Sequence, residues 1–349
     1  MTLPRSKLVD VSVTRWYHCI SRCVRRAFLL GEGTDGGTGD RKEWIEQRLK
    51  ELDSIFAVSV GGFSVMDNHL HLLLRIDPEV AQNWSDGEVV ERWHRLYPPR
   101  GTDRKPLPPE KRKELVAKLL ADPKWLQATR ERLCSLGWFM KCLKEPLSRL
   151  VNKAEKCTGA FFEGRYKSIA VLDEEALLAV CAYIDLNPVA AGIATKPEDS
   201  PHTSCKARVD HVHRMGREAD VQKADEGSVQ AWAVCGGLEE ELWLVPIEDR
   251  RRLDSVREGM LETLTLGNYL KLVDYTGRLL KVGKAAIGAE LDDILTRIGS
   301  TADQWQQRMQ RLTGGRLLGR FSCSSRDKLR ELAQRLGVSR LADLSAKVC

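Results

Sequence analysis

Long apolar runs are missing from this sequence of 349 residues. None approaches the ~20 residues that a membrane-spanning helix needs, and the opening MTLPRSKLVD has no apolar core of the kind found in signal peptides. The ten cysteines are scattered without a dense pattern, which favours reduced thiols over a disulfide framework. These absences predict a cytoplasmic protein with no membrane segment.

Two further absences concern nucleotides and charge. No segment resembles the nucleotide-binding loop GxxxxGK[ST], so nothing indicates chemistry driven by ATP at such a loop. Outside residues 301–349 the charges are nearly balanced, because that tail holds ten Lys or Arg against four Asp or Glu and the whole chain has a net charge of +6. The basic tail is compatible with a polyanionic partner, although solvated basic faces are common.

Hydrophobic periodicity gives the order of the predicted elements. Residues 11–20 alternate like a half-buried strand, and residues 41–52 place apolar side chains at helical spacing. Two apolar runs then meet at the turn dipeptide Asp67-Asn68. After a polar, proline-rich stretch come a further helix, a strand in YKSIAVL, and a helix over 174–186 that ends before a proline.

Strand, helix, strand, strand, helix, strand is the order of a ferredoxin-like fold, also called split βαβ. We therefore predict an α+β protein whose antiparallel sheet carries helices on one face. Residues 1–195 form the predicted first domain, with an insertion at about 77–135. Residues 196–349 form a mostly helical C-terminal region with one short strand in ELWLVPI.

A pair of histidines stands at the start of the third predicted strand, in MDNHLHLLLRI. Because side chains alternate along a strand, His69 and His71 point to one face and the intervening leucines to the other. Two imidazoles on a rigid strand suit a divalent metal ion. Taken alone, the pattern is more typical of two polar residues on the exposed face of an edge strand.

The stretch VCAYIDLNPVAAG places Tyr183 and Asn187 one turn apart on the same side of a helix. The carboxamide oxygen of asparagine suits a hard cation such as Mg²⁺ or Mn²⁺. A phenol one turn away can act as a nucleophile when a metal polarises its target. The simpler alternative is that Tyr183 packs in the core and Asn187 caps the helix end.

Cysteines near the first predicted strand raise the question of zinc. Cys19 and Cys23 lie close to His18, but no second pair of ligands stands at a spacing typical of zinc sites. A zinc site there is therefore not favoured.

The segments VMDNHLHLLL, FFEGRYKS and AYIDLNPVAAG, in this order, resemble the REP-associated tyrosine transposases, which belong to the single-tyrosine HUH transposases of insertion sequences. The resemblance covers roughly residues 10–195 apart from the insertion. It implies that His69 and His71 bind a divalent cation, Mg²⁺ or Mn²⁺, and that Tyr183 is the nucleophile. Asn187 matches the third metal-binding position, where relatives often carry glutamine.

The resemblance also implies an activity. Such enzymes cleave single-stranded DNA near a hairpin, form a 5′-phosphotyrosine, and leave a 3′-hydroxyl that later reverses the reaction on another strand. Joining then needs no ATP, because the phosphotyrosine conserves the energy of the broken bond. Tyr166 and Tyr17 are weaker candidates for the nucleophile.

Basic side chains near the matched motifs and in the tail are expected to contact DNA. They are Arg22, Arg25, Arg26, Arg165, Lys167, Arg316 and Arg320. The tail stretch DKLRELAQRLGVSRLADL also predicts two helices joined at Gly337, loosely like a helix-turn-helix that helps to choose the DNA target. An amphipathic helix pair that packs on the core explains the same pattern.

Two other functions fit the sequence. One is a domesticated, non-catalytic nucleic-acid binder on the same fold, against which the complete set of His69, His71, Tyr183 and Asn187 argues. The other is a metal-dependent RNA-binding or RNA-processing protein, since a ferredoxin-like sheet can present either polymer. A monomer and a homodimer are both compatible with the sequence.

Overall fold

The computed structural model describes residues 9–31, 40–223, 237–251, 257–262, 264–282, 295, 300–313, 321–322 and 326–335. Its strands are β1 (Trp16–Arg22), β2 (Val58–Val65), β3 (His69–Ile76), β4 (Lys167–Val171) and β5 (Phe321–Ser322). Its helices are α1 (Arg41–Ile55), α2 (Pro78–Asn83), α3 (Asp86–Leu96), α4 (Pro109–Leu120), α5 (Pro123–Leu133), α6 (Leu136–Ala154), α7 (Glu174–Ala190), α8 (Ser204–Met215), α9 (Glu218–Lys223), α10 (Leu266–Val282), α11 (Ala302–Thr313) and α12 (Arg326–Arg335). Among the helices of these ranges, none combines the length and apolar character that crossing a bilayer requires.

The chain divides into two compact units. The first unit comprises the described residues within 1–34, 60–74 and 160–349, and the second those within 35–59 and 75–159. Helices α1 to α6 lie in the second unit, and α7 to α12 lie in the first.

The strands form one sheet in the order β2-β3-β1-β4-β5. Strand β1 runs antiparallel to β4, with Trp16 opposite Val171 and Ile20 opposite Lys167, while the short β5 runs parallel to β4. Strands β2 and β3 are neighbours that follow each other directly along the chain, so a tight hairpin joins them. The prediction of an α+β protein is confirmed, and the predicted antiparallel sheet is present in the four strands β1 to β4, to which β5 adds a short parallel pairing.

Strand β1 starts later than its periodicity predicts. Residues 11–13 form a turn, and the strand begins at Trp16. Its five central residues are all buried, so the expected alternation between a buried and an exposed face is wrong. The reason is its place in the sheet, because β1 lies between β3 and β4 and is covered on both faces.

Helix α7 begins at a clear cap and runs further than expected. The side chain of Asp173 accepts a hydrogen bond from the backbone of the first turn. The prediction that the helix ends before Pro188 is wrong, because it continues to Ala190. A proline so close to the C-terminus removes only one backbone hydrogen bond. Gly192, at a φ of +73°, supplies the left-handed conformation just beyond the last turn.

A buried carboxylate fastens the inner face of α7. Asp185 is fully buried, and it accepts hydrogen bonds from the Ser204 hydroxyl, the Cys205 backbone N–H and the Tyr269 hydroxyl. Burial raises the pKa of this carboxyl group, which the positive charge of Arg208 and the hydrogen bonds counteract. Since α8 and α10 both supply donors, they fix α7 in rotation and along its axis.

Beside this carboxylate lies a buried ion pair. Arg208 on α8 donates to Glu239 at 2.7 Å and to the backbone carbonyls of Gly61 and Val245, each at 2.9 Å. The Val245 N–H in turn donates to the Val60 carbonyl at 2.9 Å. The ELWLVPI segment is therefore a buried coil next to β2, and its prediction as a strand is wrong.

The second unit has its own apolar core. Helix α1 is capped by Asp40, whose side chain accepts from two backbone N–H groups. Trp93 packs against Tyr97, Trp125 and Trp138, with ring centroids 4.8 to 6.4 Å apart. Within 77–135 the chain forms helices α2 to α5, and Trp93 on α3 serves this local core.

Two sequence predictions concern the C-terminal tail. Helix α12 corresponds to the first predicted tail helix. The turn at Gly337 and the second tail helix lie outside the described residues, as do Arg316 and Arg320.

Candidate active site

Strand β3 presents two imidazoles at its first and third residues. The ring centroids of His69 and His71 are 4.9 Å apart and the rings are nearly perpendicular. His71 is 1% exposed, whereas His69 is partly exposed. The Nδ1 atom of His69 lies 2.6 Å from the Oδ1 atom of Asn68, which leaves its Nε2 for another partner.

A third imidazole, which the sequence analysis did not assign, comes from the neighbouring strand. His18 on β1 is fully buried, and its Nε2 lies 2.8 Å from Nδ1 of His71, with ring centroids 5.1 Å apart. The sequence signal was a histidine at the centre of an apolar strand. The sequence did not identify His71 as the partner of His18, because the pairing of β1 with β3 is a tertiary contact.

Helix α7 brings the phenol of Tyr183 to these histidines. Its ring packs edge-on against His71, with 5.4 Å between centroids, and against His18 at 5.9 Å. Tyr183 is 7% exposed, and burial raises its pKa to about 12, while the hydrogen bond with the Asn187 side chain and the charge of Arg22 oppose the rise. The phenol is therefore protonated at neutral pH.

Asn187 joins the group through the tyrosine. Its Nδ2 donates to the backbone carbonyl of Tyr183 at 2.8 Å, so Oδ1 is the atom left to accept or to ligate. Among the described contacts, none links Asn187 directly to His69 or His71. The structure thus gathers His69, His71 and Tyr183, and Asn187 borders the phenol.

The histidines are held in the neutral form. Burial lowers the pKa of His18 to about 3 and, aided by the charge of Arg22, that of His69 to about 4. The pKa of His71 lies well below its ordinary value, because of burial first and of the neighbouring His18, His69 and Arg22 next. Neutral imidazole is the form that ligates metal ions.

These residues fit a divalent cation. The Nε2 atom of His71 is buried and has no hydrogen-bond partner, and the Nε2 atom of His69 is left open by the bond at its Nδ1. Leaving a buried nitrogen unpartnered is unfavourable unless a ligand satisfies it. Two imidazole nitrogens and a carboxamide oxygen, with room for water, suit Mn²⁺ and, less well, Mg²⁺, which prefers oxygen alone.

The buried histidines have a consequence for acid stability. Below pH 6.5 the unfolded chain protonates His18 and His71 while the folded chain does not, so protons favour unfolding. Above pH 6.5 neither histidine lowers the free energy of unfolding. As the pH falls from 6.5 towards the folded pKa, each one lowers that free energy by about 1.4 kcal/mol per pH unit. Asp185 acts in the opposite direction, because its pKa is raised.

We expect the urea midpoint of the metal-free protein to fall steeply between pH 6.5 and 4.5. Replacing the exposed His213, whose side chain is 59% accessible, with glutamine should leave this fall unchanged. A midpoint that stays constant over that range would contradict neutral burial of the two histidines.

Basic side chains lie along the two segments that border the histidines. The backbone of 22–24 bonds to that of 161–163, with Glu163 N–H donating to the Arg22 carbonyl at 2.8 Å and Val24 N–H donating to the Phe161 carbonyl at 3.1 Å. Arg165 and Lys167 on one segment and Arg25 and Arg26 on the other are exposed.

The turn after β1 holds an unusual backbone. Arg25 and Arg26 have φ values of +55° and +54°, a left-handed conformation that costs non-glycine residues about 1 kcal/mol or more each. Neighbouring hydrogen bonds hold it, including Asn68 Nδ2 donating to the Arg26 carbonyl at 3.1 Å. Phe28 is 68% exposed in the same turn.

Comparison with known proteins gives little further information. No protein-family model and no curated protein matches the chain. One solved structure, described as the REP-associated tyrosine transposase bound to a REP hairpin, is similar at 12% identity, with a TM-score of 0.29. The match covers 56% of this chain and 78% of that one. A likeness at this score carries no argument about fold or function.

Proposed function

We propose that the protein is a DNA strand transferase of the single-tyrosine class, in which Tyr183 attacks a phosphodiester of single-stranded or hairpin DNA. The observation that supports it most is the packing of one phenol against two neutral imidazoles, His71 and His18, with His69 beside them. Two sequence motifs, well separated along the chain, hold the proposed nucleophile and metal ligands, and both lie in the first unit.

The proposed step is a direct displacement at phosphorus. The Tyr183 hydroxyl oxygen forms a bond to phosphorus and loses its proton, while the bond from phosphorus to the 3′-oxygen breaks and that oxygen takes up a proton. A divalent cation, held by His69 and His71 with Asn187 as third ligand, would polarise the phosphate and shield the incoming negative charge. Attack by the 3′-hydroxyl of another strand on the phosphotyrosine reverses the step.

The finer fold assignment belongs to the same proposal. The sheet order β2-β3-β1-β4, with α1 between β1 and β2 along the chain and α6 between β3 and β4, supports a ferredoxin-like fold. We propose this fold and membership of the REP-associated tyrosine transposases on the strand order together with the motifs. The domain limits at 195 and at 77–135 remain predictions.

One observation favours a non-catalytic nucleic-acid binder instead. Tyr183 is only 7% exposed, so its hydroxyl is poorly accessible to DNA. Its raised pKa also makes the phenol a weaker nucleophile at neutral pH. Incubation with end-labelled hairpin DNA and Mn²⁺, followed by a denaturing gel, separates the two functions. A covalent adduct that requires Mn²⁺ supports the transferase. A complex seen only on a native gel supports the binder, and an adduct with RNA alone would move the proposal to RNA.

The basic turn next to the histidines is the proposed contact to the phosphate backbone. Changing Arg25 and Arg26 together to asparagine removes two charges while asparagine tolerates the left-handed backbone. We expect weaker DNA binding and a salt dependence whose slope falls by about 1.4 to 1.8, as for two lost phosphate contacts.

Arg104 and Lys105 offer a matched control in the second unit. Both are exposed, and Arg104 has a φ of +63°. Their double change to asparagine should leave the salt slope as in the unaltered protein. Equal slopes for both double variants would remove Arg25 and Arg26 from the DNA contact.

A further inference from the structure

His18 and His71 share a single proton between two facing nitrogens. The 2.8 Å separation of His18 Nε2 and His71 Nδ1 is that of a hydrogen bond, so one nitrogen donates and the other accepts. The bond joins two adjacent strands of the sheet, β1 and β3. Both side chains are at most 1% exposed, so water does not compete for it.

The direction of this bond decides what the far side of His71 can do. If His71 donates from Nδ1, its Nε2 keeps a lone pair. If His18 donates from Nε2, the proton of His71 sits on Nε2, which then cannot ligate a metal ion. The Nε2 atom of His71 is buried without a partner, as is Nδ1 of His18, so no other hydrogen bond in the described structure selects the tautomer.

We propose that His18 is a positioning residue, which accepts the Nδ1 proton of His71 and so holds the Nε2 lone pair of His71 towards the metal position. This inference rests on the proposed function, since it deepens the role of the same site. Metal-ligating histidines usually pass their other N–H to a fixed acceptor, which orients the ring and raises its affinity for the metal. Here the acceptor is another imidazole on a neighbouring strand, in place of the more usual carboxylate or carbonyl.

Two substitutions separate positioning from packing. His18→Gln can keep an acceptor oxygen near the position of Nε2, whereas His18→Leu fills the space without one. His94, a 7% exposed histidine of the second unit, supplies the control variant His94→Leu. Mn²⁺ binding to the full chain without DNA is measured by the electron paramagnetic resonance of free Mn²⁺. Imidazole nitrogen chemical shifts report the tautomer of His71 in the metal-free protein.

We expect His18→Leu to weaken Mn²⁺ binding by about 10-fold to 100-fold. His18→Gln should stay within about threefold of the unaltered protein, and His94→Leu should equal it. The nitrogen shifts should show the proton of His71 on Nδ1 in the unaltered protein and a mixture in His18→Leu. If His18→Leu fails to fold, the tautomer of the unaltered protein and the His18→Gln variant still decide.

Several results would overturn the inference. A His71 proton found mainly on Nε2 is one. Equal Mn²⁺ affinity in His18→Leu and the unaltered protein is another. Complete loss in both His18 variants would make His18 a ligand itself. Failure of the proposed function looks different, because then His71→Ala leaves Mn²⁺ binding unchanged, while the tautomer measurement still tests the hydrogen bond.

Discussion

Tyr183→Phe is expected to abolish the covalent DNA adduct while hairpin binding persists. The change removes the attacking oxygen and keeps the ring that packs against His18 and His71. Loss of a nucleophile costs about three orders of magnitude or more in rate. The stability cost is about 1 kcal/mol for one hydrogen bond, so the variant should fold. The adduct is measured on a denaturing gel and binding on a native gel.

Tyr17 and Tyr166 supply the controls for that experiment. Tyr17 is 1% exposed, and its hydroxyl exchanges hydrogen bonds with the Asp10 backbone at 2.8 and 3.0 Å, so it is committed to structure. Tyr166 is 7% exposed. Phenylalanine at either position should leave the adduct in place. Survival of the adduct in Tyr183→Phe, together with its loss in one control, would transfer the role of nucleophile.

His71→Ala is expected to lower the rate of metal-dependent cleavage by about three orders of magnitude and to weaken DNA binding only slightly. It deletes one proposed metal ligand and leaves the basic turn intact. His69→Ala should act in the same direction. Cleavage is followed over a series of Mn²⁺ concentrations, and excess Mn²⁺ should restore part of the activity if affinity is the quantity lost.

Because His71 is buried, its replacement also leaves a cavity, so stability has to be measured beside activity. The midpoint of thermal unfolding separates a lost ligand from a lost fold. The exposed His213→Ala serves as the control and should behave as the unaltered protein. If DNA binding and cleavage fall in parallel in His71→Ala, the histidine has a folding role.

Local periodicity predicted much of this arrangement. The two-residue spacing of His69 and His71 and the four-residue spacing of Tyr183 and Asn187 follow from the geometry of a strand and a helix, and the structure has both elements at those positions. Local patterns could not reveal His18, because its role depends on which strand lies beside β3.

The remaining errors have the same origin. The segment ELWLVPI is apolar because it is buried beside β2. A buried coil has the same apolar composition as a buried strand, so composition alone does not distinguish them. Asp185 is a charged residue of α7, yet it is fully buried. Its burial is possible because its hydrogen-bond donors lie on α8 and α10, far along the chain. Long-range partners of this kind leave no local signal.

The buried carboxylate of α7 limits how the polypeptide can be shortened. A fragment that ended at residue 195 would keep Tyr183 and all three histidines of the site. It would lose Ser204, Cys205 and Tyr269, and with them the donors that satisfy Asp185. The same cut would expose the apolar face of α7 that packs in one core with Tyr269, Leu272 and Val273, and each Å² of apolar surface returned to water costs about 25 cal/mol. The helix that carries the phenol is thus inseparable from sequence that follows it, and a minimal active fragment has to extend past α10.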